Sequence, residues 1–556
     1  MSALNRSTGV LTPARLTWRL IRFRPVPFSL FFLALLVWFL GSTGLGLIEK
    51  GVFDTLTDAP GSRFSIPMLL GLYAALQVAR MAANVMEVHS YATFLYSCAA
   101  LLRKNIVAAL FRRPGAQGLP LSMGEALSRL DSDVGEVSDF PMWLPWMVTH
   151  LLTALVAFVI MLRINARITL VVMLPLASVA VISRLAWARL LANRRASRRA
   201  SDAVTGMLGE MFGAVQAIKV ADAADSVIAQ LDRVNDVRRH AAVRDALFNQ
   251  VLNSLYSTSA DIGVGIMLLL AARAMVAGQF TVGDFALFVY YLSFVTGIPA
   301  LLGTFVGDWK QQEVALDRLK EFVPDEPSEV IATVGPIYDT EEPPEPSRPV
   351  LRPEDRLETL EVRGLTYLHP SSGKGIEGVD LYMQRGEFVV VTGQIGSGKS
   401  TLLRVLSGLL PRDSGQIEWN GRRIFYPAHF FVPPRSAYTP QVPRLFSEPL
   451  RDNILMGLQA SEQELAAVIY ATVLEPDVAV MPQGLDTVVG PRGVRLSGGQ
   501  IQRAAAARMV VRHPELLLCD DLSSALDVET EQLLWQRLLA GQTQATCLVV
   551  SHRRPV

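Results

Sequence analysis

Residues 393–401 read Gly-Gln-Ile-Gly-Ser-Gly-Lys-Ser-Thr, a run that combines three glycines with a lysine and three hydroxyl side chains. Glycines let backbone N–H groups converge on an anion, the lysine adds positive charge, and a hydroxyl beside it can bind Mg²⁺. The run therefore predicts a loop that holds the phosphates of a nucleotide. The candidate nucleotide contacts are Gly393, Gln394, Ile395, Gly396, Ser397, Gly398, Lys399, Ser400 and Thr401.

The residues on either side of this loop supply the elements that would position it. Phe388 to Val391 is a short apolar run typical of a buried strand, and LLRVLSGLL at 402–410 has a helical pattern. Strand, glycine loop and helix in this order are the context that supports a phosphate-binding loop. The helix N-terminus adds a favourable dipole. We expect Lys399 to bind the β- and γ-phosphates and Ser400 to bind Mg²⁺.

A second motif follows further along the chain. It is LSGGQ, formed by Leu496, Ser497, Gly498, Gly499 and Gln500. In this order and spacing the two motifs resemble the ATP-binding cassette of ABC transporters. GEALSRLDSDV at 124–134, GEMFGAVQAIKV at 209–220 and GQFTVGDFALF at 278–288 resemble the membrane domain of the same family. The resemblance implies that LSGGQ of one cassette closes on the γ-phosphate of ATP held by another. The chain therefore needs a second cassette as its partner.

The same resemblance assigns roles to residues outside the two motifs. Leu516 to Asp520 reads as a second buried strand, and Asp520 matches the position that holds Mg²⁺. Gln441, in YTPQVPRLF at 438–446, matches the glutamine that links nucleotide and Mg²⁺ to the membrane domain. His552 matches the histidine that contacts the γ-phosphate, and 524–527 matches the loop that communicates across the cassette dimer. The implied Mg²⁺ ligands are Ser400, Gln441 and Asp520, and the implied catalytic residues are Asp521, Gln441 and His552.

Asp521 departs from the family pattern, in which the residue after the Mg²⁺-binding aspartate is generally glutamate and positions the attacking water. Aspartate is one methylene shorter, and a misplacement of about 1 Å at a reacting centre can cost on the order of 10²-fold in rate. We expect impaired hydrolysis at this site. The alternative is that a small backbone shift restores the reach of the carboxylate.

Two further positions depart from the pattern. In LEVRGLTYLHP at 360–370, the place of the aromatic that stacks on adenine falls on His369, with Tyr367 two residues earlier. Imidazole stacks more weakly than tyrosine, so adenine either leans on Tyr367 or is held more loosely. Pro491 occupies a position that is commonly glutamate, which puts one contact to the membrane loops in doubt.

Half of the 556 residues are hydrophobic, which is typical of a membrane domain joined to a soluble one. A membrane-spanning helix needs about 20 apolar residues, and the sequence predicts six such spans, near 28–48, 67–86, 141–162, 168–187, 248–271 and 285–306. The first span follows an arginine-rich stretch and is too long for the core of a typical cleaved signal peptide, which is the competing interpretation.

Basic residues are concentrated in the connections around 103–129 and 184–244. By the positive-inside rule these connections, the N-terminus and the cassette lie in the cytoplasm of a cell whose plasma or inner membrane holds the protein. Arg163 and Arg167, in a short connection, run against this balance. Cys98, Cys519 and Cys547 have no paired spacing, so no disulfide framework or metal cluster is expected. A net charge of +1 gives no argument for nucleic-acid binding.

Arg80, His150 and Asp261 are ionisable groups within the predicted spans, where such residues are costly and usually face a cavity. The fifth span also begins with polar residues that could line a path or simply lie outside the bilayer. None of these residues identifies a substrate.

Residues 323–357 are rich in proline and acids, which predicts a stiff, solvated linker. The domains expected are therefore a membrane domain at 1–322, this linker, and a cassette at 358–556. Family members normally continue for some tens of residues beyond the position of His552. Because Val556 follows it so soon, the cassette looks C-terminally incomplete, either as a fragment or with an uncovered sheet edge.

The sequence thus predicts two fold classes in one chain: an all-α domain of six long transmembrane helices, then an α/β P-loop NTPase cassette with a helical subdomain. The resemblance implies a half-transporter of the ABC exporter type that uses ATP and Mg²⁺ to move a lipid, drug-like compound or peptide. An intact LSGGQ beside Asp521 favours a heterodimer with a second half-transporter, and a homodimer is the runner-up. An importer built on the exporter fold and a regulatory subunit remain open. A soluble ABC ATPase is disfavoured by the six spans.

Overall fold

The computed structural model describes residues 11–59, 64–113, 115, 121–339, 342, 350–370, 372–541 and 546–551. Contacts divide the chain into two compact units, 1–107 with 121–339 and 108–120 with 340–556. The segment 108–120 therefore groups with the cassette, although the expected boundary at 322 assigns it to the membrane domain. Within the second unit the backbone at Gly115 lies against that of Leu409, where an added Cβ would have no room.

The described part of the first unit is built from helices. Their bounds are α1 Pro13–Phe23, α2 Pro25–Leu56, α3 Ile66–Arg112, α4 Met123–Ser128, α5 Val134–Asp139, α6 Trp143–Gly213, α7 Val215–Val220, α8 Ala224–Val276, α9 Val282–Thr296 and α10 Ile298–Lys320. A π-helical turn at Arg129–Asp133 joins α4 to α5.

Two breaks turn these helices into the predicted spans. Inside α6, Asn165 has extended backbone angles (φ −155°, ψ 100°), and its side-chain oxygen accepts a hydrogen bond from the Ile168 N–H at 3.1 Å. This side chain caps the second part of α6, so the third and fourth predicted spans are two segments meeting at Asn165. The last predicted span is divided between α9 and α10 at Gly297, just before Pro299.

The described part of the chain contains helices suited to a bilayer. Among the described residues, three helical segments are long and apolar enough to cross a bilayer: Pro25–Leu56, Ile66–Arg112 and Met123–Pro175. Val282–Val295 is a shorter apolar helix. The predicted spans near 168–187 and 248–271 fall in α6 and α8, where several side chains lie outside the described part of the chain.

The segment predicted as a solvated linker begins with packed residues. Ile331 and Ala332 are buried, the Ser328 hydroxyl accepts a hydrogen bond from the Leu11 N–H at 3.1 Å, and the Asn105 amide donates to the Ile331 carbonyl at 2.9 Å. Residues 328–333 therefore belong to the membrane unit. The proline-rich part at 343–349 lies outside the described residues.

The second unit is the α/β domain that the sequence predicts. Its strands are β1 Thr359–Leu368, β2 Gly375–Gln384, β3 Phe388–Val391, β4 Ser414–Trp419, β5 Arg422–Arg423, β6 Ser436–Thr439, β7 Leu516–Asp520 and β8 Thr546–Val550. Its helices are α11 Lys399–Leu406, α12 Pro427–Phe430, α13 Leu450–Leu455, α14 Glu462–Ala471, α15 Glu475–Val480, α16 Gly498–Val510 and α17 Val528–Gly541.

Two four-stranded sheets form among the described strands, an antiparallel one in the order β2-β1-β4-β5 and a parallel one in the order β3-β8-β7-β6. In the parallel sheet Val391 pairs with Val550, and Cys519 pairs with both Val549 and Thr439. β7 and β8 are buried along their whole length, as expected for strands rich in Leu and Val inside a parallel sheet. The carboxyl ends of these strands meet at one edge, where ligands bind in open α/β sheets.

Candidate functional site

The glycine loop leaves β3 and enters α11 in a conformation that only glycines adopt readily. Gly396 and Gly398 have φ values of 84° and 89°. A Cβ at Gly398 would lie 2.8 Å from the Ile376 side chain and 2.9 Å from the Gly375 carbonyl oxygen. The loop can therefore approach a phosphate with its backbone N–H groups, and the N-terminus of α11 points its dipole at the same place.

The charged side chain of the loop is buried within it. The Lys399 ammonium donates hydrogen bonds to the carbonyls of Gly393 at 2.9 Å and Gln394 at 2.7 Å. Ile395, at the tip, is 93 % exposed. The Lys399 amine is therefore held inside the loop, and the Ile395 side chain at the tip points into solvent.

A Mg²⁺ site is supported by the donor set at the ends of β7 and the loop. The Ser400 hydroxyl donates to Asp520 Oδ1 at 2.8 Å, so a hydroxyl and a carboxylate, both ligands suited to Mg²⁺, converge there. Gln441 follows β6 and brings an amide to the same edge. No cluster of three or more His, Cys, Asp or Glu side chains that could hold a metal occurs in the described residues.

Tyr438 is a residue of this site that the sequence analysis missed. Its hydroxyl lies 3.3 Å from Asp520 Oδ2, so the Asp520 carboxylate is held by Ser400 on one oxygen and Tyr438 on the other. Burial raises the pKa of the Tyr438 phenol, which keeps the hydroxyl protonated as a donor. The sequence does not indicate that Tyr438 is close to Asp520, because the two residues meet only through the pairing of β6 with β7.

Asp521 lies immediately beyond β7 and is 7 % exposed. Its φ of 55° is in the left-handed region, and its N–H donates to the Val550 carbonyl at 3.0 Å. The Gln441 amide donates to Asp521 Oδ2 at 3.2 Å. The structure thus brings together two of the three predicted catalytic residues. The third, His552, lies outside the described residues.

The LSGGQ motif forms the start of α16. The Ser497 hydroxyl accepts from the Gln500 N–H at 3.3 Å, and the Gln500 side chain accepts from the Ser497 N–H at 2.8 Å, which is a capping box. The Gln500 amide also donates to Asp477 at 2.8 Å, and Arg503 pairs with the other oxygen of Asp477 at 2.8 Å. The motif is therefore rigidly held, with its helix N-terminus available to an anion.

Gln502 connects this helix to the loop at 524–527. Its amide donates to the Ser524 hydroxyl at 2.7 Å and its carbonyl accepts from the Ala525 N–H at 3.0 Å. Gly499 packs so closely that a Cβ there would lie 3.0 Å from the Ala525 carbonyl oxygen. The motif and this loop consequently form one rigid surface. Asp477, Arg503 and Gln502 were not singled out from the sequence because their partners are distant along the chain.

The two predicted adenine contacts lie side by side but differ in burial. Tyr367 is only 6 % exposed and belongs to the core of the antiparallel sheet, so its ring is not free to stack on a base. Its hydroxyl lies 3.4 Å from His369 Nδ1, with the rings edge to face at 4.9 Å. His369 is left as the candidate stacking residue, and Tyr367 orients it.

The ionisable groups of the membrane helices have different surroundings. His150 lies between the rings of Phe39 and Trp146, with centroid distances of 4.0 and 3.9 Å, and Asp261 is exposed on α8. The guanidinium of Arg80 lies 4.3 Å from the centroid of the Trp38 ring.

Comparison with known proteins agrees with both units. The family model described as ABC transporter transmembrane region matches residues 28–298, and the model described as ABC transporter matches residues 376–524, within the α/β unit. The chain belongs to the ABC transporter family. With one transmembrane region and one cassette it is a half-transporter, an ATPase coupled to transport that acts as a dimer with a second half.

Relatives align over most of this chain. A Staphylococcus aureus protein named as a multidrug export ATP-binding/permease protein is 27 % identical over 438 residues, covering 78 % of this chain and 72 % of the relative. A Bacillus subtilis protein named as a multidrug resistance ABC transporter ATP-binding/permease protein is 26 % identical over 405 residues, covering 70 % and 64 %. A serine protease/ABC transporter B family protein of Dictyostelium discoideum is 25 % identical over 513 residues, covering 91 % of this chain and 28 % of the relative.

Proposed function

We propose that the chain is one half of an ATP-driven exporter of drug-like compounds and that it works in a heterodimer. The Staphylococcus and Bacillus relatives are named for multidrug export and multidrug resistance, which supports this direction and class of cargo. Closure of two cassettes around ATP drives the membrane helices from an inward- to an outward-facing state, and hydrolysis resets them. The basic connections favour a cytoplasmic N-terminus and cassette.

The observation that carries the heterodimer is the restraint on Asp521. Its backbone is fixed by the bond to Val550, its carboxylate by Gln441, and its side chain is one methylene shorter than glutamate. A backbone shift that extended the reach of the carboxylate would strain the hydrogen bond between the Asp521 N–H and the Val550 carbonyl. The signature helix, in contrast, has its full capping box and the Asp477 anchor. The chain thus retains the LSGGQ motif that would contact ATP bound to the partner, and its own hydrolytic site at Asp521 is weakened.

Within this chain's own site each side chain has a distinct task. Backbone N–H groups of the loop and Lys399 bind phosphate oxygens. Ser400 and Asp520, with Gln441, would hold Mg²⁺, which would neutralise phosphate charge there. Tyr438 orients Asp520 through its hydroxyl. Gln441 joins the Asp521 carboxylate to the segment that follows β6, the part of the cassette that relays closure to the membrane helices.

Dimer composition is tested by producing the full-length chain in its own host with two different affinity tags on separate copies. A heterodimer predicts that pulling on one tag recovers a different half-transporter and not the second tag. Recovery of both tags in equal amounts would establish a homodimer and overturn this part of the proposal.

Export is tested with inside-out membrane vesicles that contain the transporter purified through this chain. ATP-dependent accumulation of a fluorescent drug-like dye is the expected result, and a Lys399→Ala variant is the matched control without phosphate binding. ATP-dependent depletion of the dye would indicate import instead. No movement of any dye would refute drug export.

A further inference from the structure

Arg80 lies in the apolar part of α3, away from both ends of the helix. At about 1.5 Å per residue, Arg80 is roughly 21 Å along α3 from Ile66, and Trp38 is roughly 20 Å along α2 from Pro25. The two helices run in opposite directions across a hydrocarbon core of about 30 Å. Both residues therefore lie well inside the membrane, where a charged side chain is expensive and usually marks a functional site.

The surroundings of Arg80 are polar but neutral. Its Nε donates to the Trp38 carbonyl at 3.3 Å and its Nη1 donates to Gln77 Oε1 at 3.0 Å. The Ser42 hydroxyl donates to the same Trp38 carbonyl at 2.9 Å, and Gln77 donates to the Tyr73 hydroxyl at 3.4 Å. Among the described residues, the ion pairs of the structure do not include Arg80, so its positive charge has no carboxylate partner there.

Packing fixes the direction of the guanidinium. The stem of Arg80 crosses α2 at Gly41, where a Cβ would lie 3.1 Å from its Cγ and 3.2 Å from its Cδ. The guanidinium is then stacked over the Trp38 ring at 4.3 Å. Among the described residues, the hydrogen bonds of Arg80 use its Nε and Nη1 and do not use Nη2, so this nitrogen can donate to a ligand. A planar guanidinium stacked on an aromatic ring suits a phosphate or carboxylate attached to an apolar group.

We propose that Arg80 and Trp38 form an anion-recognition subsite of the transport pathway, and that the compounds carried are amphipathic anions with a phosphate or carboxylate group. This inference rests on the proposed transport function and names the substrate class for it. The rival explanation is that Arg80 only clamps α2 to α3 through Trp38, in which case the charge of the ligand does not matter.

The test is equilibrium binding to the full-length protein in nanodiscs of phosphatidylcholine. The probes are tritiated dodecyl phosphate and tritiated dodecyltrimethylammonium, which share a chain length and differ in charge. The wild type is expected to bind the anion more tightly. Arg80→Gln is expected to weaken anion binding about tenfold or more, since a hydrogen bond to a charged group is lost, and to leave cation binding unchanged. Adding phosphatidylglycerol to the nanodiscs distinguishes a lipid headgroup, which would compete, from a free amphiphile, which would not.

Two further variants keep the test interpretable. Arg273→Gln removes one charge from an exposed position on α8 and should change neither affinity. Arg80→Lys keeps the charge but loses the fork, so it should bind dodecyl phosphate severalfold more weakly and remain folded. Equal anion affinities in the wild type and in whichever Arg80 variant folds would overturn the subsite. Loss of thermal stability with an unchanged preference for the anion would establish the clamp instead.

Failure of this inference and failure of the proposed function give different results. If the transporter moves dyes with ATP but binds both probes equally, only the anion subsite is refuted. If the protein binds dodecyl phosphate through Arg80 but moves nothing with ATP, transport is refuted and the subsite stands.

Discussion

Replacing Asp521 with glutamate restores the missing methylene and should speed hydrolysis at this chain's own site. An error of about 1 Å at a reacting centre costs on the order of 10²-fold, which corresponds to about 3 kcal/mol of transition-state stabilisation. The Gln441 amide, which donates to the Asp521 carboxylate at 3.2 Å, is the side chain that must move to make room for the longer glutamate. The left-handed φ of 55° at this position is less suited to glutamate than to aspartate. The substitution should therefore lower the stability of the folded cassette without lowering the rate of hydrolysis. We expect a gain of about ten- to a hundredfold.

Single-turnover hydrolysis, followed by photolabelling this chain with 8-azido-[α-³²P]ATP and separating labelled ADP from ATP, measures this site alone. Asp521→Asn is the matched control because it keeps the length and removes the charge, and it should give no gain. In a heterodimer the total steady-state ATPase should rise by no more than about twofold, because the partner's site already turns over. An unchanged single-turnover rate in Asp521→Glu would refute the argument that carboxylate length limits this site.

Three further predictions follow from the cassette. Ser497→Arg places a cation and bulk at the start of α16 and should abolish the partner's hydrolysis while ATP photolabelling of this chain persists; loss of labelling would contradict the separation of roles. Burial raises the pKa of Cys547 to about 12 and that of Cys519 above its usual range, so neither thiol should react with maleimide at pH 8 until the protein is unfolded, as mass spectrometry will detect. The Thr530 N–H and hydroxyl donate to the Asp527 carboxylate and hold its pKa below the ordinary 3.8. The ionised Asp527 therefore stabilises the fold above pH 3.8, and this stabilisation is lost as the pH falls through the lowered pKa. Asp527→Ala should therefore lower the unfolding temperature at pH 7 and progressively less on acidification, and a pH-independent difference would exclude this account.

Features encoded within a few consecutive residues could be predicted from the sequence. The strand before Gly393, the glycine loop and α11 are contiguous, and so is the capping box between Ser497 and Gln500. Apolar runs likewise predicted the membrane helices, since a bilayer requires long apolar segments. The family resemblance then supplied roles for Asp520 and Gln441, which the folded sheet brings to one edge.

Features that depend on contacts between distant residues could not be predicted. Tyr438 reaches Asp520 only because β6 pairs with β7, and Asp477 anchors Gln500 from a different helix. The sequence left open whether adenine leans on Tyr367 or is held loosely at His369, and only the fold shows that the alternation of β1 buries the Tyr367 ring while His369 follows the end of the strand. The proline pattern of 323–357 also predicted solvation without revealing that Ile331 packs into the membrane unit.

The most direct test of the central claim is the distribution of trapped nucleotide in the assembled transporter. Vanadate and 8-azido-[α-³²P]ATP trap the product wherever hydrolysis occurs, and the two chains are then separated and their labels identified. We expect trapped ADP on the partner and unhydrolysed ATP on the chain that contains Asp521. Equal amounts of trapped ADP on both chains would contradict it.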